Sequence, residues 1–319
     1  MSETIPLGRS PVRISPLGVG TMSWSGEEGR GAYGGTRPAD EEAAFRASLD
    51  SRVNLFDTMG MYSRGRCERR VGELSRGTQA VIATKFLPGR LVPPAFPYLP
   101  SHLPKLLDAA LARLGRSTVD VYQLRSFGLV PIKAWMNRLA DAVETGKVRA
   151  VGVSGFSEEK LRAAHAALEA RGIPLASIQN QYSLLDRGPE FDGVLNACKE
   201  LGVTLIAFSP LALGALSGKY RPGHLPEDML RRRMVGPFRS SRIASTLRVT
   251  ENLAAIGAPH GKSVPQVALR YLIEQGAVPI PGAKNEKQAR DNAGALTFSL
   301  SGTEMNELRE ATSSFVPTR

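Results

Sequence analysis

Short apolar runs alternate with segments of helical periodicity along most of the chain. The runs predict eight strands, at Leu17–Thr21, Asn54–Asp57, Ala80–Phe86, Val119–Arg125, Val148–Ser154, Leu175–Gln181, Thr204–Ser209 and Ala277–Gly282. Between them apolar residues recur three and four positions apart, as at Leu103, Leu106 and Leu107, which predicts amphipathic helices. Asp40 is predicted to open the first helix, as its N-cap or close to it.

Eight strand–helix units of about 30 residues match the size of a βαβ crossover. They predict an α/β fold of the closed (β/α)8 TIM barrel type, as a single domain over residues 1–319. The alternative is a doubly wound open sheet, but the glycine-rich dinucleotide-binding fingerprint is absent after the first strand, and no composition break divides the chain. Residues 5–16, with three prolines, predict an N-terminal β-hairpin, and residues 302–311 predict an extra C-terminal helix.

Segment 211–243 interrupts the alternation. It is rich in glycine and arginine and separates the seventh predicted strand from a helix predicted at Val264–Gln275. A connection of this length inside a compact domain is usually either functional or disordered.

Composition indicates a folded protein with a substantial core, because hydrophobic residues make up 42% and charged residues 22% of the chain. The net charge of +11 and the pI near 9.9 are typical of proteins with an acidic partner such as nucleic acid or an anionic membrane. The arginines are scattered, however, and only residues 230–242 resemble a basic patch, which a solvated loop explains more simply. A phosphate-bearing cofactor would also account for the charge, and we expect neither a nucleic-acid nor a membrane partner.

Cysteine usage and the N-terminus indicate a reducing compartment. Cys67 and Cys198 form neither a disulfide framework nor a metal-ligand spacing, so we expect no bound metal. The first residues lack the apolar core of a secretory signal, and no run approaches the ~20 apolar residues that span a bilayer. We expect a soluble, cytoplasmic protein, with the plastid stroma as the alternative if a transit peptide has been removed.

Candidate chemistry stands at the carboxyl ends of the predicted strands, where a barrel builds its site. The residues there are Thr21, Asp57, Lys85, Arg125, Ser154, Gln179, Ser209 and Gly282. A buried lysine needs a partner, so we expect Lys85 to pair with Asp57, with Tyr62 folded over the pair. Tyr62 would then transfer a proton, its pKa lowered from about 10 by the lysine. The alternative is that Asp57 caps a turn, Lys85 extends to solvent and Tyr62 only packs.

Several stretches, in order along the chain, resemble the aldo-keto reductase family. They are Asn54–Gly72, Ala83–Phe86, Asp120–Leu124, Gly152–Ser154, Ser209–Lys219 and Ile280–Asn285. The resemblance extends from about Leu17 to Ala311. Arg171–Ser177 and Leu201–Ala207 look most like the plant plastid and cyanobacterial branch of the family.

The resemblance implies NADPH-dependent reduction of an aldehyde or ketone to an alcohol, with hydride from the nicotinamide ring. It implies that Tyr62 is the general acid, that Lys85 lowers its pKa and that Asp57 fixes Lys85. The positions that match cofactor-binding residues are Gly20, Thr21, Ser154, Gln179, Ser209, Leu211, Leu213, Leu216, Lys219, Gly282, Lys284, Asn285, Gln288, Asp291 and Asn292. Of these, Ser154 and Gln179 match residues on the nicotinamide carboxamide, and Lys284 matches a partner for the 2′-phosphate.

Two positions depart from the family pattern. Arg125 stands where the family has a catalytic histidine, and Gly155 stands where it has an asparagine. Arginine does not give up its proton, but it donates hydrogen bonds to a carbonyl oxygen and binds carboxylate or phosphate. We therefore place Arg125 among the catalytic residues and allow an anionic carbonyl substrate. The alternative function is a catalytically slow NADPH-binding sensor or regulatory protein.

Three further residues have two interpretations each. Trp24, in the loop after the first strand, lines the substrate pocket or packs within the loop. His102 reaches the pocket or faces solvent at a helix start. Cys67, near the start of the second helix, is a reactive thiol or a small buried residue.

Overall fold

The computed structural model describes residues 4–24, 35–88, 99–126, 131–221, 224, 236–239 and 242–315. Its main sheet consists of eight parallel strands in chain order. They are β3 (Gly18–Gly20), β4 (Leu55–Asp57), β5 (Val81–Phe86), β6 (Val119–Arg125), β7 (Val148–Ser154), β8 (Leu175–Gln181), β9 (Thr204–Phe208) and β10 (Ala277–Pro279). The sheet closes on itself through a parallel bridge between Gly20 and Gly282, and the Gly20 amide donates to the Pro281 carbonyl at 2.9 Å. The predicted (β/α)8 barrel is confirmed.

Closure depends on the small size of Gly20. A Cβ atom built on this residue would lie 2.9 Å from the Ile280 carbonyl oxygen, closer than such atoms normally approach. The first and last strands therefore meet only because one of them lacks a side chain at this point.

Helices surround the barrel in the described part of the chain. They are α1 (Pro38–Asp50), α2 (Arg66–Leu74), α3 (Leu103–Leu114), α4 (Ile132–Glu144), α5 (Glu158–Glu169), α6 (Gly188–Phe191), α7 (Val194–Leu201), α8 (Ile243–His260), α9 (Val264–Glu274), α10 (Glu286–Ala293) and α11 (Gly302–Ala311). Gly115 ends α3 in the left-handed conformation (φ +64°), which its missing Cβ permits. None of these helices is both long and apolar enough to cross a membrane.

The N-terminal hairpin covers the amino end of the barrel. Its strands β1 (Ile5–Pro6) and β2 (Arg13–Ile14) pair antiparallel. Leu7 and Ile14 are buried against the inward-facing side chains of the barrel strands, such as Leu55. The hairpin therefore shields the barrel interior at one end, and the carboxyl ends of the strands remain as the place for a site.

The structure refines the predicted start of the first helix and adds one helix that was not predicted. Asp40 lies in the first turn of α1 and pairs with Arg37, which is the N-cap. Helix α8 was missed, because no element was predicted between segment 211–243 and the helix predicted at Val264–Gln275. Its buried residues Val249, Leu253 and Ile256 do carry the helical spacing.

Candidate active site

An ion pair between Asp57 and Lys85 forms the centre of the site. The strands β4 and β5 are neighbours in register, with Asp57 opposite Ala83, so Lys85 lies two residues further along the same face. Lys85 Nζ is 2.5 Å from Asp57 Oδ1 and also donates to the Thr58 carbonyl at 3.1 Å. Both residues are only 3% exposed. This arrangement excludes the alternative in which Lys85 extends to solvent.

Burial by itself would lower the pKa of Lys85, but attraction by Asp57 and Tyr62 outweighs it, and the pKa is raised. The lysine is therefore held as an ammonium ion. A charged donor beneath a phenol stabilises the phenolate that remains after the phenol gives up its proton.

The second oxygen of Asp57 is held by two amides that the sequence did not assign to it. Gln123 Nε2 donates to Asp57 Oδ2 at 3.2 Å, and Gln179 Nε2 donates to the same atom at 2.8 Å. Both carboxylate oxygens are thus hydrogen-bonded in a buried position, which fixes the carboxylate. Gln123 was missed, although its spacing of two from Arg125 on β6 places both on one face of the strand.

Tyr62 begins a short turn after β4, at residues 62–65, and Lys85 Nζ lies 5.2 Å from the centroid of its ring. The pKa of Tyr62 is raised from its ordinary value of 10.0, which corrects the predicted decrease. Desolvation has the largest influence, and together with the Asp57 carboxylate it outweighs the lowering by Lys85 and by Arg125. Tyr62 is partly exposed at the mouth of the barrel, but protein atoms surround its phenol and desolvate it.

Arg125 ends β6 opposite Ser154, the last residue of β7. Its Nη1 donates to Ser154 Oγ at 2.8 Å, and its guanidinium carbon lies 5.1 Å from the ring centroid of Phe208. Burial lowers the pKa of Arg125, and the nearby Tyr62 and Asp57 oppose this effect. The structure therefore brings Arg125 into electrostatic contact with the Asp57, Lys85 and Tyr62 cluster.

A second region of candidate residues follows β9. Three non-glycine residues have a positive φ there: Ser209 (53°), Ala212 (48°) and Leu213 (55°). The 3-10 turn at Ala212–Ser217 contains Gly214, beside which a Cβ would meet no other atom within 4 Å. Non-glycine residues in this conformation are unfavourable and concentrate at ligand-binding loops.

The remaining members of this region differ in burial. Leu216 is buried and packs in the core, whereas Leu211 and Leu213 are half-buried against it. Lys219 Nζ lies 4.9 Å from the ring centroid of Tyr220.

The start of α10 forms the third region. Asn285 is the N-cap, and its side chain accepts from the Gln288 amide at 2.9 Å. Gln288 Oε1 accepts in turn from the Lys284 amide at 2.9 Å, and Asn292 Nδ2 donates to the Gly282 carbonyl at 3.2 Å. Asp291 accepts from Ser263 Oγ at 3.0 Å. These contacts fix the backbone between β10 and α10 at the edge of the barrel.

A family model described as the aldo/keto reductase family matches residues 16–313. The chain belongs to the aldo-keto reductase family. A chloroplastic pyridoxal reductase of Arabidopsis thaliana is 34% identical, over 94% of this chain and 84% of its own length. An NADP(+) aldo-keto reductase of Schizosaccharomyces pombe is 31% identical, over 88% and 84%.

Solved structures of the family agree with the fold. A glycerol dehydrogenase of Gluconobacter oxydans superimposes with a TM-score of 0.85 at 26% identity, covering all of this chain and 97% of that one. An aldo-keto reductase of Klebsiella pneumoniae in complex with NADPH has a TM-score of 0.73 at 25% identity, covering 100% and 97%.

Gly20 and Thr21 lie at the rim of this aldo-keto reductase barrel, where β3 ends. Thr21 Oγ1 and the Thr21 amide both donate to the Asp57 carbonyl at 2.9 Å. Thr21 therefore also connects the first strand to the backbone that carries the central carboxylate.

The structure places Trp24 in the core. Its side chain is fully buried (0% exposed), lies 6.2 Å from the ring of Phe56 and donates from Nε1 to the Ala283 carbonyl at 2.8 Å. Cys67 is buried beside it, and its Sγ donates to the Trp24 carbonyl at 2.8 Å. Packing thus accounts for both side chains, and neither reaches solvent in the described structure. His102 is exposed at the start of α3, and its Nδ1 accepts from the Leu99 amide at 3.0 Å.

Proposed function

We propose that this protein reduces a small aldehyde or ketone to the alcohol with NADPH as the hydride donor. The observation that carries the proposal is the buried Lys85–Asp57 pair with Lys85 Nζ 5.2 Å from the Tyr62 ring centroid. Family membership supports the reaction class. The Schizosaccharomyces pombe relative is named for NADP(+), and the Klebsiella pneumoniae structure contains NADPH.

The described residues fit this cofactor. Two segments suit a dinucleotide: the left-handed backbone after β9 with the open side of Gly214, and the capped start of α10. Backbone amides in such conformations, and at helix starts, bind phosphate groups. NADPH supplies a hydride to the carbonyl carbon when it is bound.

We propose three sets of cofactor contacts. Ser154 and Gln179 would hold the carboxamide, and Gln179 keeps its carbonyl oxygen for this role because its amide nitrogen is used by Asp57. Residues at the rim and after β9 would line the nicotinamide and pyrophosphate, and those around α10 would hold the adenosine. The former set is Gly20, Thr21, Ser209, Leu211, Leu213, Leu216 and Lys219; the latter is Gly282, Lys284, Asn285, Gln288, Asp291 and Asn292.

In the proposed chemistry, the Tyr62 hydroxyl gives its proton to the carbonyl oxygen. The raised pKa keeps Tyr62 protonated at neutral pH, so the acid is present in its active form. Lys85 stabilises the phenolate that remains, and Asp57 holds Lys85 in place. Arg125 donates a hydrogen bond toward the carbonyl oxygen or toward an anionic group of the substrate.

We further propose an anionic carbonyl substrate. Arg125 adds a second positive charge beside Lys85, and a guanidinium binds carboxylate or phosphate in a bidentate manner. The Arabidopsis relative is named a pyridoxal reductase. Pyridoxal, whose aldehyde lies beside an ionisable hydroxyl, is therefore the first substrate to test.

Activity is tested by following NADPH oxidation with pyridoxal and a panel of aldehydes and ketones. We expect turnover with at least one of them. If NADPH binds but neither the wild type nor Arg125→His turns over any substrate, the enzyme proposal fails and a sensor or regulatory role is favoured.

Cofactor choice is tested by fluorescence titration with NADPH and NADH. A charge-assisted hydrogen bond is worth about 1.5–3 kcal/mol, so we expect NADPH to bind at least about tenfold more tightly and Lys284→Met to remove most of this preference. Equal affinities in the wild type would contradict the assignment of Lys284.

For location, we propose the cytoplasm, with the plastid as the alternative that the chloroplastic relative supports.

A further inference from the structure

A buried ion pair lies behind the turn that carries Tyr62. Glu68, on α2, is fully buried (0% exposed). Its Oε2 accepts from Arg113 Nε of α3 at 2.5 Å, and its Oε1 accepts from Thr84 Oγ1 of β5 at 2.7 Å. Removing a carboxylate from water is costly, and it is tolerated here because both oxygens are hydrogen-bonded. One side chain thus joins two helices and a barrel strand.

Arg113 lies against both ends of the segment that we name the Tyr62 turn (residues 60–65). A Cβ on Gly60 would be 2.8 Å from Arg113 Nη2, and a Cβ on Gly65 would be 2.6 Å from Arg113 Cδ. Both approaches are closer than real Cβ atoms make. The turn therefore rests on the arginine at two points, with Tyr62 between them.

The backbone of the Tyr62 turn is in an unfavourable conformation. Ser63 (φ 47°) and Arg64 (φ 55°) directly follow Tyr62 and are both left-handed. Non-glycine residues keep this conformation only where their surroundings impose it. The contacts of Arg113 with Gly60 and Gly65 bracket these two residues, and Arg69 Nη2 also donates to the Arg64 carbonyl at 3.4 Å.

Glu68 also contacts the strand that carries Lys85. Successive residues of a strand point to opposite faces, so Thr84 faces Glu68 outside the barrel while Lys85 faces Asp57 inside it. Glu68 therefore contacts both the arginine that lies against the Tyr62 turn and the strand that carries Lys85.

We propose that Glu68 and Arg113 are positioning residues that set the distance and orientation of Tyr62 relative to Lys85. The proposal rests on the proposed function, in which Tyr62 is the proton donor. Neither residue touches the reacting atoms. Their effect is exerted through the geometry of the Tyr62 turn and of β5.

The test compares Glu68→Gln with a matched control, Asp120→Asn. Asp120 is also a buried acid that joins a strand to arginines, since it accepts from the Ile82 amide at 2.9 Å and from Arg149 at 2.7 Å, but it lies near the amino end of β6. A misplacement of about 1 Å costs on the order of 100-fold in rate, so we expect Glu68→Gln to lower kcat by about 10–100-fold with the Kd for NADPH changed less than about twofold. Asp120→Asn should lower Tm by about as much as Glu68→Gln does, because each variant weakens one buried acid. It should leave kcat within about twofold.

A double-mutant cycle with Tyr62→Phe tests whether Glu68 acts through Tyr62. If it does, Glu68→Gln has no further effect on the residual rate of Tyr62→Phe. A loss in kcat that persists undiminished in that background overturns the proposal, as does a Glu68→Gln variant that loses stability and keeps its kcat.

Hydrogen exchange separates a failure of this proposal from a failure of the proposed function. If the wild type reduces no carbonyl compound, the proposed function is wrong, but the structural claim remains measurable. Backbone amides of residues 59–65 should then exchange faster in Glu68→Gln than in both the wild type and Asp120→Asn. Equal exchange in all three proteins overturns the positioning role.

Discussion

Two of the buried ion pairs in the described part of the chain have tyrosines beside them that meet opposite charges. In the site, Tyr62 lies over the cation Lys85, which is paired with Asp57. At the outer wall of the barrel, Arg187 is paired with Glu190 at 2.6 Å, and the hydroxyls of Tyr182 and Tyr271 both donate to Glu190 Oε1, at 2.8 and 3.0 Å.

The two tyrosine environments have opposite consequences for a proton. Burial and the Glu190 carboxylate both raise the pKa of Tyr182, so the hydroxyl stays protonated and keeps donating its hydrogen bond to Glu190. Burial also raises the pKa of Tyr62, but Lys85 and Arg125 oppose the increase. A phenol between cations can release its proton to a substrate, whereas a phenol beside a carboxylate serves as a structural donor.

The largest expected effect comes from removing each phenol in turn. General acid catalysis contributes about 10²–10⁴-fold, so Tyr62→Phe should lower kcat for carbonyl reduction by that factor while the Kd for NADPH is retained. Tyr182→Phe is the control and should keep kcat nearly unchanged. Stopped-flow measurement of NADPH oxidation makes the comparison, and comparable losses in the two variants would remove the distinction drawn here.

Breaking the outer pair should affect stability instead. Removing one partner of a buried ion pair costs about 3–5 kcal/mol, so Glu190→Gln should lower the free energy of unfolding by about that amount because Arg187 loses its only carboxylate among the described contacts. Denaturant unfolding provides the measurement. Activity per folded molecule should be unaffected, and a loss of kcat in fully folded Glu190→Gln would show that this cluster is coupled to the site.

The charge of Arg125 should appear in substrate preference. We expect kcat/KM for 4-carboxybenzaldehyde over that for benzaldehyde to fall by about 10–100-fold in Arg125→Met, corresponding to a charge-assisted hydrogen bond of about 1.5–3 kcal/mol. Arg125→Lys is the matched control that keeps the charge and loses the bidentate geometry. An unchanged ratio in Arg125→Met would mean that Arg125 does not contact the anionic group.

The smallest effect is a shift in pH dependence. Reduction needs protonated Tyr62, and its pKa is raised, so kcat/KM for reduction should be flat through neutral pH and fall only as the pH rises past 10.0. Arg125 lowers this pKa, and Arg125→Met should therefore move the alkaline limb to higher pH. A limb that moves to lower pH would contradict the proposed sign.

Much of the fold was predictable from local pattern. The predicted bounds of β6, β7 and β8 agree with the structure, because long apolar strands between clear helical segments carry the strongest periodic signal. The first part of segment 211–243 proved to contain the left-handed turn at Ala212–Ser217, and residues 225–235 lie outside the described residues. That residues 1–319 form a single domain stays a prediction.

The sequence by itself determined that Asp57, Lys85 and Arg125 lie at or next to the carboxyl ends of three neighbouring strands, because strand order and the two-residue alternation follow from the pattern alone. Only the tertiary structure decided what surrounds them. The amides of Gln123 and Gln179 on Asp57, the burial that raises the pKa of Tyr62, and the support of its turn by Glu68 and Arg113 all depend on side chains far apart in the chain. Desolvation and hydrogen bonding at a closed barrel end depend on how the strands and helices pack together, and the local sequence pattern does not predict that packing.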